Sequence, residues 1–405
     1  MNFNGPEWCY LGLCAIAKGE NEYLKEWVDY HVLVGVEHFV IYDNEEHPIA
    51  HRIFKEYVDN GVVTVIHWPF KYAQLNVYQH CIDSYGKHFK WIGFIDLDEF
   101  LVPIQFNDLR AILVAYEDNP GIVVSSVVYG ASGHVERPQK PQIEAYDEII
   151  GPEDRHVKTI LQPVHAMTAL SPHHFKYKNN MLAVNEDGVA MHGPYTYNTT
   201  KRIRLNHYYY RSRSDWENKM HRGLAHPLKS GQSYRWEQFE RHLSSTVQKS
   251  DLMHNLCSQL KDLQGKSAKD ISEMATRYLN LSLEAWSELL RNACETVDAS
   301  LAEGVPVGAE TERLFILLPC YFSENPNMIN MASSYFRVTG RIEFAWMLVR
   351  RSLSILLTPE GLLELSDILN AQNEQTKADV VKRHIGQLLE ECGEMNETWS
   401  EMLKT

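Results

Sequence analysis

The sequence lacks long apolar segments, an excess of positive charge and regularly spaced cysteines. None of its apolar runs reaches the roughly 20 residues that a membrane-spanning helix needs, so we expect no transmembrane segment. Asp and Glu number 53 against 39 Lys and Arg, which gives a formal net charge of −14. This balance argues against nucleic acid as a partner and against simple adsorption to an anionic membrane.

The seven cysteines are scattered and odd in number, a usage that favours a reducing compartment over a disulfide framework. The N-terminus carries neither the basic nor the apolar part of a signal peptide. These absences predict a cytoplasmic protein, peripheral at the inner face of the membrane if its substrate is a glycolipid. What is present, 44% hydrophobic and 23% charged residues, is typical of a soluble globular protein.

The first hundred residues alternate β-like apolar runs with amphipathic helical segments. Strands are predicted at 11–17, 36–42, 62–67 and 91–95, each separated from the next by a helical pattern. This order predicts an α/β fold with a mostly parallel, doubly wound sheet and helices on both faces. Because ligands bind at the carboxyl ends of the strands in such sheets, the residues directly after each strand are the first candidates for a site.

Three carboxylates, Asp96, Asp98 and Glu99, follow the fourth predicted strand. Strand alternation places Asp96 and Asp98 on the same side, where they would repel one another without a cation between them. Mg²⁺ and Mn²⁺ suit such hard oxygen ligands and take further ligands from substrate phosphates. The pattern therefore indicates an enzyme that acts on a diphosphate, although acidic residues also end many strands that bind no metal.

Further polar candidates fall at the same edge of the predicted sheet. Lys18 could neutralise a phosphate and Glu20 could hold a sugar hydroxyl, unless both belong to a plain surface turn. Asp43 could accept hydrogen bonds from a ribose or nucleobase, but it also suits a local turn or helix cap. Lys219 and Arg222, three residues apart on a predicted helix, could clamp a diphosphate leaving group or form a solvated face.

His207 lies in an aromatic β-like run further along the chain. A neutral imidazole could complete the ligand set of a metal bound by Asp98; the alternative is a buried histidine with a structural role. The sequence has neither a G-x-G-x-x-G segment nor a Walker loop, so a Rossmann dinucleotide site and a P-loop site are both excluded.

The rest of the chain differs from the first hundred residues. From about 104 to 215, short β-like runs alternate with loops rich in Pro, His, Asn and Gly, a pattern expected where an acceptor is bound. Beyond about 214 the sequence is helical, with a faint repeat of 33 to 34 positions that suits tetratricopeptide-like hairpins. We therefore predict a catalytic domain at 1–225, a helical connector at 226–305 and a helical domain at 306–405, which could bind a protein partner or self-associate.

Six ordered blocks of the sequence resemble glycosyltransferase family 92, within a span from about residue 9 to 225. The blocks are residues 18–31, 35–44, 95–100, 129–134, 156–160 and 206–209. Two positions depart from the family pattern, which often has Asn in place of Gly19 and Ser in place of Ala131; these changes could mark a different acceptor. The helical region beyond about 230 lies outside the resemblance.

The resemblance implies a GT-A fold, with a Rossmann-like, mostly parallel sheet. It also implies that Asp96 and Asp98 form a D-x-D motif that binds Mn²⁺ or Mg²⁺ and the sugar nucleotide, with His207 as a further metal ligand. Asp43 would lie at the uracil or ribose. We assign Lys158, which lies in the fifth block, to the donor site together with the other candidates at the sheet edge.

The function implied is metal-dependent transfer of a sugar, of the hexosyltransferase type, from a nucleotide sugar to a carbohydrate or glycolipid hydroxyl with inversion. An inverting enzyme needs a carboxylate to deprotonate the acceptor. Asp187, Glu186 and Asp154 are the candidates for this base, and His134 is assigned to the acceptor. Two alternatives stay open: a metal-dependent nucleotidyl- or phosphotransferase, and an inactive scaffold that acts through its helical tail.

Overall fold

The computed structural model describes residues 3–150, 154–196, 199–222, 232–243, 247–279 and 281–404, without the side chains of residues 154, 155, 232–234 and 247. The chain divides into two compact units, Met1–Leu281 and Ser282–Thr405. The boundary between them falls inside the stretch predicted as a helical connector. All strands of the described residues belong to the first unit, and the second consists of helices and turns.

The strands of the described residues are β1 Cys9–Ala17, β2 His38–Asp43, β3 Val63–His67, β4 Phe89–Phe94, β5 Glu99–Pro103, β6 Gly121–Val128, β7 Glu148–Ile150, β8 Asp154–Leu161, β9 Ala166–Ala169, β10 Phe175–Tyr177, β11 Ile203–His207 and β12 Val247–Lys249. Eight of them form one sheet with the order β3-β2-β1-β4-β8-β6-β11-β5. β9 pairs with β10, and β7 pairs with β12, in two small sheets.

The large sheet is mixed, with a parallel half and a half that contains antiparallel neighbours. β1, β2, β3 and β4 run parallel, and β6 is parallel to β11. β8 lies antiparallel between β4 and β6, and β5 is antiparallel to β11 at the edge. The predicted sheet is therefore confirmed as a mixed, mostly parallel one.

Helices connect the strands of the first unit and build the second. The first unit contains α1 Leu24–Leu33, α2 Ala50–Ile53, α3 Lys55–Asp59, α4 Gln74–Tyr85, α5 Leu109–Leu113, α6 Gln142–Ala145, α7 Arg213–His221, α8 Gln232–Leu243, α9 His254–Gln264 and α10 Ala268–Thr276. The second unit contains α11 Leu283–Glu303, α12 Ala309–Tyr321, α13 Pro326–Val338, α14 Ile342–Ile355, α15 Pro359–Ala371, α16 Gln375–Cys392 and α17 Glu397–Met402. Within the described ranges, no helix combines the length and the apolar character needed to cross a membrane.

α1 and α4 cover opposite faces of the parallel half of the sheet. Trp27 of α1 contacts Phe39, whereas His80 of α4 contacts Tyr42. Phe39 and Tyr42 both belong to β2, and residues three apart on a strand point to opposite faces. Helices were predicted on both faces, and in this half of the sheet they are present.

The second unit contains a structural repeat of 33 residues. Ser333 of α13 donates a hydrogen bond to the carbonyl of Ala345 in α14 (2.9 Å), and Ser366 of α15 donates to the carbonyl of Ala378 in α16 (3.3 Å). All four residues are fully buried, and each member of the second pair lies 33 positions after its counterpart. The faint periodicity of the sequence thus corresponds to two helical hairpins of the same construction.

Candidate active site

The acidic residues after β4 lie in a tight turn between β4 and β5. β4 ends at Phe94 and β5 begins at Glu99, so Asp96 and Asp98 lie outside both strands. The backbone N–H of Glu99 donates to the carbonyl of Asp96 (3.1 Å), and the Glu99 carboxylate accepts from the backbone N–H of Asp96 (2.8 Å). Glu99 therefore braces the turn, and the prediction that strand alternation orients the two aspartates is wrong.

Asp96 is bound by groups of the protein on both of its oxygens. Its Oδ1 accepts a hydrogen bond from Nε2 of Gln74 (2.8 Å), and its Oδ2 accepts from Nζ of Lys158 (2.8 Å). The same Nζ lies 3.2 Å from Oε2 of Glu99. Burial lowers the pKa of Lys158, but the two carboxylates outweigh it and hold that pKa well above its ordinary value. Lys158 is therefore a fixed internal cation.

Asp98 faces a different set of partners. Its Oδ2 accepts from Nζ of Lys219 (2.8 Å), and its Oδ1 lies 3.5 Å from Nε2 of His207. Burial raises the pKa of Asp98, but Lys219 and His207 outweigh that effect and hold the pKa well below its ordinary value. Burial likewise lowers the pKa of His207, and Asp98 reverses this and raises it. Asp98 is thus an anion at neutral pH although it is nearly buried.

Lys219 reaches Asp98 from the second half of α7. Its Nζ donates to the backbone carbonyl of Tyr209 (3.0 Å) and lies 4.1 Å from the centre of the Tyr209 ring. α7 begins directly after Ser212, whose hydroxyl accepts from the backbone N–H of Asp215 (3.2 Å). Such a cap satisfies a backbone donor of the first turn and fixes where the helix starts. The cap and the Tyr209 contacts together define the position of the ammonium group.

A cavity of about 460 Å³ opens beside Asp98. Its walls come from the β1–α1 loop, the segment at 136–139, the residues after β11 and α7. The volume is in the range of known small-molecule sites. Four cations and five carboxylates line it, and the Lys and Arg side chains among them are the groups that could contact phosphate. The charged residues that line it are Glu20, Glu22, Asp98, Glu136, Arg137, Arg211, Asp215, Lys219 and Arg222.

The β1–α1 loop is tied to the end of α7 at this cavity. Glu20 accepts from Nη1 of Arg211 (2.8 Å) and lies 3.0 Å from Nη1 of Arg222. Arg222 also donates to the backbone carbonyl of Lys18 (2.6 Å), whereas the Lys18 residue itself is exposed. The structure therefore brings the predicted candidates of the loop and of α7 together, with Glu20 and Arg222 as partners of each other.

Comparison with known proteins identifies the family of this chain. The model of glycosyltransferase family 92 matches residues 13–249, which is more than half of the sequence. The chain belongs to glycosyltransferase family 92. The resemblance read from the six sequence blocks is thereby confirmed.

Curated family 92 proteins from three plants are similar to the chain. The protein of Oryza sativa subsp. japonica is 30% identical over 183 residues, or 43% of this chain and 30% of the relative. One from Ricinus communis is 29% identical over 223 residues, or 53% of this chain and 38% of the relative. One from Arabidopsis thaliana is 28% identical over 203 residues, or 46% of this chain and 35% of the relative. The chain thus spans about a third of the length of the family 92 proteins it matches.

Asp43, predicted to contact the donor of a family 92 enzyme, is bound to the backbone of its own loop. The residue is fully buried. Its Oδ1 accepts from the N–H of Glu45 (3.1 Å), and its Oδ2 accepts from the N–H groups of Ile49 (2.7 Å) and Ala50 (2.8 Å). These are the contacts of the local-turn alternative, so Asp43 shapes the loop between β2 and α2.

Glu186 and Asp187, predicted as bases of the family 92 reaction, lie at the other end of β11. Glu186 is buried, and its oxygens accept from the backbone N–H groups of residues 201–203 at 2.8, 2.8 and 3.2 Å. Ile203 begins β11 and His207 ends it, and a rise of about 3.3 Å per residue separates them by about 13 Å. Asp187 follows in an exposed turn. This placement argues against both residues as the base.

Asp154 and His134 complete the predicted set. Asp154 begins β8 and pairs with Ser126 of β6. Ser126 in turn pairs with Leu205 of β11, which lies two residues before His207. The backbone of Asp154 therefore lies near the carboxyl edge of β6, while its side chain lies outside the described part of the structure. Nε2 of His134 is hydrogen-bonded to the backbone carbonyl of Ala145 (3.0 Å). The roles of base for Asp154 and acceptor contact for His134 stay predictions.

Two residues of this family 92 site had no role assigned from the sequence. Nε2 of Gln74, besides its bond to Asp96, lies 3.1 Å from the hydroxyl of Tyr78. The i, i+4 spacing of Gln74 and Tyr78 on the helix before the acidic turn was the available signal. The other residue is Arg211, which donates to the backbone carbonyl of Leu97 (2.8 Å). A bond to a backbone carbonyl leaves no pattern in the sequence, so Arg211 could not be found this way.

Proposed function

We propose that the chain catalyses metal-dependent transfer of a sugar, of the hexosyl type, from a nucleotide sugar to a carbohydrate or glycolipid hydroxyl, with inversion. The observation that carries the proposal is Asp98, a nearly buried anion between His207 and Lys219 that lines the cavity. Membership of glycosyltransferase family 92 supports the class of reaction. The donor, the acceptor and the stereochemistry belong to the proposal.

The metal we propose is Mn²⁺ or Mg²⁺, held by Asp98 and His207. Neighbouring ligands of an octahedral ion, each about 2.1 Å from it, lie about 3 Å apart, and the Asp98 oxygen and the His207 nitrogen are 3.5 Å apart. A carboxylate with an imidazole also suits Mn²⁺ chemically. Across the described ranges no group of three or more His, Cys, Asp or Glu side chains could hold a metal, so donor phosphates and water would complete the ligand set. Asp96 has protein partners on both oxygens, and we assign it to the support of the turn.

The cations of the site would act on the leaving group. When bound, the metal supplies positive charge to the departing nucleoside diphosphate. Lys219 and Arg222 line the same cavity, and we propose that they stabilise the charge that develops on the diphosphate. Lys158 neutralises Asp96 in the turn, which limits repulsion of the incoming phosphates. The acceptor proton passes to a carboxylate, for which Asp154 is our candidate.

We propose in addition that the first unit is a GT-A domain and the second a tetratricopeptide-like module. The parallel strands β1 to β4, the acidic turn after β4 and His207 at the end of β11 support the first assignment. The repeat of 33 residues in the second unit supports the other. A protein partner, or a second copy of this chain, is the ligand we expect for such a module.

The test is release of nucleoside diphosphate from a panel of sugar nucleotides, measured with Mn²⁺, with Mg²⁺ and with EDTA. Asp98→Asn keeps the shape of the side chain and removes its charge, so we expect kcat to fall about 10³-fold. Asp59→Asn is the matched control, because Asp59 forms an exposed ion pair with Lys55, and it should keep wild-type activity. Undiminished activity of Asp98→Asn, or of the wild type in EDTA, would contradict the metal-dependent mechanism.

The products distinguish this proposal from its alternatives. Nucleoside diphosphate with a transferred or hydrolysed sugar supports glycosyl transfer. Pyrophosphate or inorganic phosphate would indicate a nucleotidyl- or phosphotransferase. No turnover of any donor, together with no thermal stabilisation by nucleoside diphosphate and Mn²⁺, would indicate an inactive scaffold.

A further inference from the structure

Arg211 has an uncommon backbone conformation for a large side chain. Its φ is +53°, in the left-handed region that residues other than Gly, Asn and Asp rarely adopt. The residue is only 5% exposed. Backbone strain of this kind persists where the surrounding structure holds the residue firmly, and it clusters at functional sites. The contacts of Arg211 show what holds it.

The guanidinium of Arg211 donates hydrogen bonds in three directions. Nη2 donates to the backbone carbonyl of Leu97 (2.8 Å), Nη1 to Oε1 of Glu20 (2.8 Å) and Nε to Oε1 of Gln142 (3.1 Å). Its Cζ lies over the ring of Tyr23, 3.9 Å from the ring centre. A planar fork with five donors can make such a set of bonds, whereas a lysine ammonium at the end of a flexible chain cannot reproduce it.

These bonds link the two sides of the cavity. Leu97 is the residue between Asp96 and Asp98, so the bond to its carbonyl fixes the middle of the acidic turn. Glu20, held by Nη1, presents its other oxygen to Arg222 at 3.0 Å. The Arg211 side chain therefore fixes two positions. One is the position of Asp98 in the acidic turn, and the other is the position of the β1–α1 loop against the end of α7.

We propose that Arg211 is a positioning residue of the transfer reaction, which aligns Asp98 with the cations of α7 through Leu97 and Glu20. Each of the three nitrogens of Arg211 donates a hydrogen bond to the protein, and we assign its effect on the reaction to these neighbours. The kinetic part of this inference rests on the proposed function. The structural part, that Arg211 orders the acidic turn, does not.

Hydrogen–deuterium exchange of the peptide that contains residues 95–99 tests the structural part. Arg211→Lys keeps the charge and loses the fork, and Arg211→Gly removes the side chain while relieving the left-handed strain. We expect faster exchange of this peptide in both variants and unchanged exchange in peptides of the second unit. Arg213→Lys is the matched control, because Arg213 is an exposed arginine two residues away, and it should match the wild type. Unchanged exchange in Arg211→Gly would overturn the proposal.

Steady-state kinetics on the full chain test the functional part. A catalytic group misplaced by about 1 Å can cost about 100-fold in rate, so we expect a loss of that order in kcat for both Arg211 variants, with KM for the nucleotide sugar little changed. Guanidinium at low millimolar concentration should fill the space in Arg211→Gly and restore part of kcat, whereas urea at the same concentration should not. If Arg211 served only to stabilise the fold, guanidinium would not restore kcat. The loss would then also not be confined to kcat with KM unchanged.

The outcomes separate this inference from the proposed function. A wild-type enzyme without activity toward any donor contradicts the proposed function, while the exchange result still decides whether Arg211 orders the turn. A wild-type kcat in a folded Arg211→Gly variant overturns the positioning role. A loss of kcat that matches the fraction of unfolded protein, without rescue by guanidinium, overturns it as well.

Discussion

Two lysine–aspartate pairs of equal length lie on the two sides of the acidic turn. Lys158–Asp96 and Lys219–Asp98 are both 2.8 Å long. The Lys158 side chain is 3% exposed and belongs to a strand inside the sheet, whereas the Lys219 side chain is 16% exposed and lines the cavity. The distance between the lysine nitrogen and the aspartate oxygen therefore does not distinguish the two kinds of ion pair. One kind supports the fold, and in the other the lysine can exchange its aspartate for a substrate. The surroundings of the lysine decide between these roles.

The largest effect that we expect concerns stability. Lys158→Met keeps the apolar stem and leaves Asp96 and Glu99 without their cation; Glu99 is buried, and breaking a buried pair in this way costs about 3–5 kcal/mol. Urea unfolding measures the loss. Lys55→Met is the control, because its exposed pair with Asp59 contributes at most about 1 kcal/mol. Equal unfolding midpoints for Lys158→Met and Lys55→Met would contradict the supporting role of Lys158.

Lys219→Met should reduce activity strongly and stability less than Lys158→Met does. The variant loses the cation that faces the cavity, and we expect kcat to fall by about 10²-fold or more because charge on the leaving diphosphate is less well stabilised. Stability should change less than in Lys158→Met, since Asp98 keeps His207 beside it and borders the cavity. Nucleoside diphosphate release and urea unfolding, measured on the same preparation, decide the matter. A stability loss as large as that of Lys158→Met, with kcat unchanged, would refute this prediction.

A third carboxylate, Glu26, extends the comparison because burial is the largest influence on its pKa. Burial raises the pKa of Glu26 from 4.5 to about 7, and backbone hydrogen bonds from Gln142 and Ile143 oppose this only in part. A carboxyl group with a raised pKa contributes stability in full below pH 4.5, and this contribution is lost as the pH rises through 7. We therefore expect Glu26→Gln to stabilise the protein at pH 8 by about 1–3 kcal/mol and to have little effect at pH 5.

Urea unfolding at the two pH values measures this effect. Glu22→Gln is the matched control, because the Glu22 side chain is 59% exposed and pairs with Arg137 at the surface, and its stability should change little between the two pH values. A gain for Glu26→Gln that is the same at pH 5 and pH 8 would show that ionisation of Glu26 is not its cause.

The parallel half of the sheet could be predicted because its signals are local. Each of the strands β1 to β4 is a buried apolar run, and the order of strands and helices leaves few ways to connect them. The second half depends on long-range pairing: β5 follows the acidic turn in sequence, yet it lies at the far edge of the sheet against β11. No local pattern contains that pairing, and none contains the distance of Glu186 from the acidic turn.

The residues of the candidate site also divide into those that could be predicted from local sequence and those that could not. Asp98, His207, Lys219 and Arg222 could be found because their chemistry is visible in the sequence, and the structure brings them to one edge. The partners of Lys158 could not be predicted, because they depend on β8 lying antiparallel beside β4. Asp43 was found as a polar residue after a strand, but a free donor ligand and a carboxylate bound to three backbone amides look alike in a sequence.

The buried position of Lys158 also constrains how relatives of this chain can diverge. Substitution of Lys158 alone leaves two carboxylates without their cation, whereas loss of Lys158 together with both Asp96 and Glu99 leaves no charge of this cluster behind. In an alignment of family 92 sequences these three positions should therefore change together. Lys219 borders a cavity, and its replacement in a lineage should follow a change of substrate instead.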